Sequence, residues 1–496
     1  MLLTDPQKEA LRDKVLDLLW TVGMRVEHEK IEADMVRLGC SISPTGRVRI
    51  PRELIEEFVA SQLRNRARDE DEDRWLSRFG IIDWGNFLLW TNRRAEEDAR
   101  MREGVRTSVF DCGPTKYYDY PTGRALPVDT AIFTTIKKWA HTVPEVGYTS
   151  TWYRQDVPPE TERVESLVLG LKLTDKVGGI EAMCPSHIKY LQAIGEVITG
   201  RPNENAYICG SQCIMPPLIF DSRAAEETVE RAVRKVGRYH VASMITVGIN
   251  TPVTPAAAIV IMAAEILGGM ICTFSQDREA DITGRMLASI ADMRNARITY
   301  ATPECSIVNV GVKELFQAHF GGHIRVDGFF ITAARRPGLQ AVAECYAGAA
   351  RIARLRGLSD IPYPGVGTLD NGGVGSPTQA VLDIEIKKSE IMARRIAVGE
   401  DAIPWDEIVQ RVEERKDFLA SEHTLRNFRA LWTSPLFRTD GPPASDWAGD
   451  EKAILDKCDQ MWRENLKSYS PPELSEDKIR ALDQIVAEAR RELLKV

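Results

Sequence analysis

Apolar positions at the start of the chain follow a helical spacing. Leu11, Val15, Leu18, Leu19 and Val22 share one stripe, which predicts an amphipathic helix over 7–22. A second helix is expected over about 29–38, ending near Gly39. The short extended piece RVRI precedes Pro51, and proline suits the first turn of a third helix running to about Leu63. The run RNRARDEDEDR (64–74) carries no apolar stripe and reads as a solvated connection. Across 80–125 the aromatic-rich segments IIDWGNFLLW and DCGPTKYYDYPTG carry turn signals, so strands and loops are expected there.

From about 143 to 400 the pattern changes. Short apolar or β-branched runs recur at 146–152, 178–184, 205–213, 240–248, 280–287, 323–330 and 361–369. Helical stretches lie between and after them, near 162–174, 186–198, 222–237, 255–275, 304–319, 338–356 and 377–397. Strand–helix alternation at this density predicts a parallel sheet. Seven units in this span fit an α/β fold of the TIM (β/α)8 barrel type better than an open sheet, with the eighth strand unassigned. The expected organisation is an N-terminal helical segment (1–75), a strand/loop extension (76–142), the barrel (143–400) and a C-terminal helical arm (401–496) broken by prolines.

One stretch raises a membrane question. Residues 256–274 read AAAIVIMAAEILGGMICTF, long enough to span a bilayer, with Glu265 as the one charge. A mid-span carboxylate costs about 2.5 kcal/mol or more on insertion. A buried helix in a soluble core is therefore expected. The 496 residues are 44% apolar and 27% charged, which is ordinary for globular domains and excludes wholesale disorder. A net charge of −8 gives no basic footprint for nucleic acid. Nine cysteines, several in apolar runs, predict reduced thiols and a cytoplasmic protein. The N-terminus meets acids and Pro6 at once, so no signal peptide is expected.

Metal and cofactor motifs are weak. Cys209 and Cys213 fall four apart on one predicted strand with no histidine close by, so packing is the better reading. His319 and His323 are four apart, but Gly321-Gly322 is expected to separate them into helix and strand. Gln317-Ala-His319-Phe-Gly-Gly322 partly matches an Asp-x-His-x-x-Gly corrinoid-binding pattern, but Gln stands where Asp would orient the histidine. The chain is not expected to carry a corrinoid itself. No P-loop or G-x-S-x-G elbow occurs, and GVGTLDNGGVGS (365–376) fits the dinucleotide glycine spacing poorly.

In a barrel, chemistry sits at strand C-terminal ends and the loops after them. That topology selects Trp152, Tyr153, Cys184, Ser211, Gln212, Cys213, Asn250, Thr251, Asp292, Arg294, Asp327, Asp370 and Asn371. Tyr117, Tyr118 and Tyr120 cluster with Phe110, and Trp84, Trp90 and Trp152 fall near strand ends or loops. Aromatic faces attract quaternary ammonium by about 2 kcal/mol when desolvated.

Several blocks, in order, give the chain a recognisable character. They are LLWTVGMRVEHEKIEADMVRLGCSISPTGRVRIPRELIEEFV, DVPPETERVESLVLGLKLTDK, TPVTPAAAIVIMAAEILGG, ADMRNARITYATPE, RPGLQAVAECYAGAARIARLRG, ASEHTLRNFRALW and YSPPEL. With them the chain resembles the trimethylamine methyltransferase superfamily along nearly its whole length. The resemblance implies a TIM barrel that moves a methyl group from a methylated amine to the Co(I) of a separate corrinoid protein. Founding members place pyrrolysine at the end of a late strand. The matching region here, GTLDNGGVGS (367–376), centres near Asn371 and holds standard residues only.

The chain thus resembles the branch without pyrrolysine, whose substrates are quaternary amines such as glycine betaine. A quaternary ammonium leaves as a neutral tertiary amine and needs mainly positioning. The resemblance and strand-end topology together nominate Asp327, Asp370 and Asn371 as catalytic. They nominate Tyr117, Tyr118, Trp152, Gln212 and Asn250 as substrate-binding. A cognate corrinoid protein and a homo-oligomer are expected; a tightly bound metal, nucleic acid and a membrane are not. The alternatives are a corrinoid-dependent demethylase of an O-methyl or S-methyl donor, with Asp327 or Asp370 as general acid, and a non-catalytic betaine-binding relative.

Overall fold

The computed structural model describes residues 2–66, 107–110, 113–202, 207–321, 323–326, 331–357, 366–392, 402–431, 433–437 and 447–494. Asp327, Trp84 and Trp90, most of the 64–74 charge run and the first part of the predicted 80–125 strands lie outside them.

The fold is mixed α/β, with 15 α-helices among the described residues and several small sheets. The largest parallel sheet takes its strands from Gln212–Ile214, Arg238–Ser243, Asp281–Met286 and His323–Val326, in that order. Each of the first three is followed by one of the helices Ser222–Val233, Pro255–Gln276 and Pro303–Leu315, as the alternation predicts. Shorter parallel pairs join Ile180–Glu181 to Ile208–Cys209 and Thr107–Val109 to Val146–Thr149. These sheets are not joined into one continuous ladder among the described residues.

The sheet's two faces differ. Ile214 and Val241 pack against Gly269, and Gly284 lies under Met270 and Ile266, all three on the long apolar helix Pro255–Gln276. Period-two alternation puts Cys213, His240, Thr283 and Arg285 on the opposite face. There His240 Nδ1 and Thr283 Oγ1 are 2.8 Å apart.

The run 256–274 is that helix. It passes a length-and-apolarity test for a membrane span, yet most of it is buried in the core. Glu265 at its middle is fully buried and accepts hydrogen bonds from Leu218 N–H at 3.1 Å and Ser243 Oγ–H at 2.6 Å.

The N-terminal helices cover this core. Val15 and Leu19 of the predicted stripe are fully buried in Asp5–Thr21, whereas Val22 is exposed. Met24 packs on Gly268, where a Cβ would meet the methionine sulfur at 2.6 Å. Among the described residues beyond 402 the elements are all helices. Glu476–Leu493 packs on Pro159–Leu173 and His187–Thr199, and Trp447–Leu466 packs on Pro377–Met392.

Three element readings are corrected. Cys209 and Cys213 do not share a strand, because Gly210 takes a left-handed φ of +91° and splits the run in two. The run 240–248 is likewise two strands, Arg238–Ser243 and Thr246–Val247. The helix read as 304–319 is α-helical only to Leu315 and ends in one wide turn, Phe316–Phe320, capped by left-handed Gly321.

Candidate functional site

The candidate site lies where the polypeptide leaves the strands Val146–Thr149, Ile180–Glu181, Gln212–Ile214 and Asp281–Met286. Its centre is Glu181. The Tyr153 hydroxyl is 3.5 Å from Glu181 Oε2, and Arg223 Nη1 is 3.7 Å from Oε1. Glu181 is crowded by protein, yet 30% of its side chain remains open to solvent. Burial raises its pKa above the ordinary 4.5, Glu227 adds repulsion, and Arg223, Arg163 and Arg285 pull the other way. Cys213, next along the same face, is pushed up to about 11 by burial and then by Glu181.

The surroundings hold these groups in place. Tyr153 is clamped on one ring face by the Arg163 guanidinium, 3.5 Å from the ring centroid. Arg163 is itself buried and paired with Glu162, which also accepts from Arg154 N–H at 2.9 Å. The C-terminal arm braces the same helix, with Arg490 donating to both oxygens of Glu165 at 2.8 and 2.6 Å. On the far side, Glu227 pairs with Arg231 at 2.6 Å inside the protein. Arg223 Nη1 is buried between Glu181 and Glu227, 4.0 Å from Glu227 Oε2, and makes no hydrogen bond among the described residues.

Gly210 lies directly behind Glu181. A Cβ there would come within 2.5 Å of Glu181 Cγ, and the φ of +91° disfavours any side chain. Gly210→Ala is expected to cost about 1–2 kcal/mol in backbone strain and to displace the Glu181 carboxylate. A lowered melting temperature together with weakened ligand binding checks this; unchanged binding counts against a role for Glu181.

The strand ends also carry an apolar rim. Met183, Met215, Met244, Ile249, Val253 and Met293 are all exposed. Met183 Sδ is 3.9 Å from the Tyr153 hydroxyl. Met293 and Val253 both lie within 4 Å of where a Cβ on Gly248 would stand.

The nominated residues fall into two sets. Tyr117, Tyr118, Trp152, Asp370 and Asn371 come together around the hairpin 368–375. Lys116 and Tyr117 pair with Val374 and Gly375. A Cβ on Gly375 would meet the Trp152 ring at 2.3 Å. Trp152 is fully buried and edge-on to Phe110 at 4.9 Å. Tyr118 packs with Leu369, Val374 and Ala334. Burial raises the Tyr117 hydroxyl to about 12, with Arg463 opposing the rise.

Asp370 and Asn371 both adopt left-handed φ, 46° and 57°. Their backbone N–H groups donate to Ala334 O and Thr332 O, each at 2.7 Å. Asp370 lies 3.8 Å from Arg335, and Asn371 Nδ2 donates to Ile298 O at 3.2 Å. Thr151 Oγ1, Trp152 Nε1 and Thr368 Oγ1 are buried without hydrogen-bond partners among the described residues. Pro114 touches the Gly375 position and its carbonyl accepts from Tyr153 N–H, so this set borders the Glu181 centre.

Gln212 and Asn250 stand apart. The Gln212 amide points to the helix side, donating to Glu227 at 3.0 Å and accepting from His240 N–H at 3.0 Å. Asn250 Oδ1 closes a turn by accepting from Thr246 N–H at 2.8 Å. Glu181, Arg223 and Arg285 were missed from the sequence. The available signal was a lone charge inside the apolar run GGIEAMC. Among the described residues, no group of three or more His, Cys, Asp or Glu side chains forms a metal-ligand cluster.

A family model described as trimethylamine methyltransferase (MTTB) matches residues 90–493. The glycine betaine methyltransferase of Desulfitobacterium hafniense (strain Y51) is 21% identical over 344 residues, spanning 68% of this chain and 70% of its own. A trimethylamine methyltransferase of Desulfitobacterium hafniense (strain DSM 10664 / DCB-2) is 23% identical over 500 residues, 99% of this chain and 94% of its own. One from Methanosarcina mazei is 23% identical over 514 residues, 99% and 95%.

Proposed function

The chain belongs to the trimethylamine methyltransferase family, and from that premise we propose that it demethylates a carboxylate-bearing quaternary amine of the glycine betaine class. The acceptor in this reading is the Co(I) of a separate corrinoid protein, which supplies the nucleophile. The strand order of the main sheet supports a reading in which the parallel strands are staves of a (β/α)8 barrel.

The observation that carries the substrate class is the loose Glu181–Arg223 pair. At 3.7 Å the two charges are close but not hydrogen-bonded, and each keeps open surface. A zwitterion fits between such groups. Its ammonium lies on Glu181, beside the Tyr153 hydroxyl and the Met183 thioether. Its carboxylate takes the open edge of the Arg223 guanidinium, whose inner Nη1 is held between Glu181 and Glu227, with Arg285 adding positive charge nearby. The methyl group then faces outward to the apolar rim, a surface suited to the edge of a docked macrocycle. Asp370 and Asn371, in the neighbouring hairpin set, are proposed as positioning residues. The leaving tertiary amine is neutral, so no proton has to be donated to it.

The free cysteines support a reducing, cytoplasmic setting. The decisive assay mixes the protein anaerobically with Co(I)-cobalamin or a corrinoid protein and a methyl-donor panel. Glycine betaine, carnitine, γ-butyrobetaine, proline betaine, choline, trimethylamine, a methoxylated aromatic and a methyl sulfonium compound make up the panel. Loss of the Co(I) band with one betaine, and none with choline or trimethylamine, is the expected result. Turnover of choline at the betaine rate would remove the carboxylate site. Turnover of the methoxylated compound alone would replace the amine reading.

A further inference from the structure

The mouth of the candidate site carries a cysteine–histidine pair that methyl transfer does not use. Cys184 follows Met183 on the rim and is half-buried, so reagents reach it. Its sulfur lies 3.1 Å from Ser186 Oγ, just ahead of the 13-residue helix His187–Thr199. His187 is only 1% exposed. Its Nε2–H donates to Glu160 O at 2.6 Å. That bond fixes the tautomer and leaves Nδ1 as the lone-pair nitrogen. Nδ1 is buried and makes no hydrogen bond among the described residues, and His187 is the neighbour that most favours the Cys184 thiolate. The arrangement is a thiol, a base and a carbonyl that orients the base, the three parts of an activated nucleophile.

We propose that Cys184 is a nucleophilic thiolate and a covalent modification site for hydroperoxides, set at the entrance to the methyl-transfer centre. The proton moves from Cys184 Sγ to His187 Nδ1. The thiolate attacks one peroxide oxygen, an S–O bond forms and the O–O bond breaks. The departing hydroxide, or alkoxide from an organic hydroperoxide, takes the His187 proton and leaves as water or the alcohol. Sulfur is oxidised to the sulfenic acid and the peroxide is reduced.

The electrostatics agree with the geometry. Burial acts against the Cys184 thiolate, but the His187 and Ser186 side chains and the His187 backbone N–H outweigh it and lower the thiol pKa. Burial drives Cys40 and Cys458 up to about 12 and raises Cys213, Cys272 and Cys305 as well. From the packed helix Pro159–Leu173, Glu160 presents its backbone carbonyl and is otherwise exposed. The inference is independent of the methyl donor, because its test reads the thiol and not turnover.

The test is limiting iodoacetamide at pH 7 on the full native chain, with each cysteine followed by peptide mass spectrometry. Cys184 is expected to alkylate about tenfold faster than every other cysteine, as a thiolate does beside ordinary thiols. His187→Gln is expected to abolish that advantage. Ser186→Ala, on a partly exposed side chain, should slow Cys184 in the same direction by less. Stoichiometric hydrogen peroxide followed by dimedone should trap sulfenate on Cys184. Labelling of Cys184 at the rate of the other cysteines, or peroxide oxidation spread evenly over them, would overturn the proposal.

Discussion

Glu181→Gln is expected to lower kcat/KM for the betaine substrate by about 10- to 150-fold, the 1.5–3 kcal/mol of a charged hydrogen-bonding contact. Most of that loss should appear in KM. The ammonium charge disappears as the methyl group leaves, so Glu181 holds the ground state at least as well as the transition state. A carboxylate placed here therefore binds and aligns more than it accelerates. The carboxyl pKa is already raised in the free protein by burial and by Glu227. A bound cation pulls it back down, so binding takes up no proton above the raised value and fails below it. The acid limb of kcat/KM is expected at a higher pH than an ordinary glutamate gives. An acid limb that survives unchanged in Glu181→Gln would assign it to another group.

The second large effect is on stability. Glu265→Ala strands two buried donors, Leu218 N–H and Ser243 Oγ–H, and opens a cavity in the helix Pro255–Gln276. A loss of about 3–5 kcal/mol at pH 5 is expected. Glu265→Gln behaves differently. Burial raises the Glu265 pKa to about 7 from an ordinary 4.5, so the folded protein holds this proton more tightly than the unfolded chain. The stability this confers is complete below pH 4.5 and is lost as pH rises through 7, about 3 kcal/mol in all. Glutamine keeps an acceptor for Leu218 N–H and has no charge to bury. The variant should match the parent near pH 5 and exceed it at pH 8. Denaturant titrations at the two pH values check this; a pH-independent difference would mean that Glu265 does not titrate in the fold.

Both effects concern a single carboxylate inside an apolar run, and the local pattern distinguishes only one of them. Glu265 stood out because its 19-residue run was long enough to pose a membrane question, and the buried helix followed. Glu181 lies in a seven-residue run that reads as a core strand, and nothing local distinguishes a charge that faces a recess from one that faces a helix. Gln212 shows the converse. The pattern puts it at the C-terminal end of the run 205–213, but it begins the separate strand Gln212–Ile214, and alternation turns its amide to the helix side, where Glu227 and His240 N–H use it.

Local pattern determined what depends on neighbours within about ten residues. That includes the strand–helix alternation, the amphipathic first helix, the burial of 256–274 and, through ordered blocks along the whole chain, the family. Tertiary structure alone decided which strand ends share a centre. Tyr117 meets Gly375, and Arg223 meets Glu181, through pairings between segments far apart in sequence. It also decided that Gly210, by a left-handed turn, breaks the cysteine-bearing run and clears the space that Glu181 occupies. The reason is physical. Hydrophobic periodicity acts through the chain's own helix or strand geometry, whereas a site is set by side chains whose separation in space is independent of their separation along the chain.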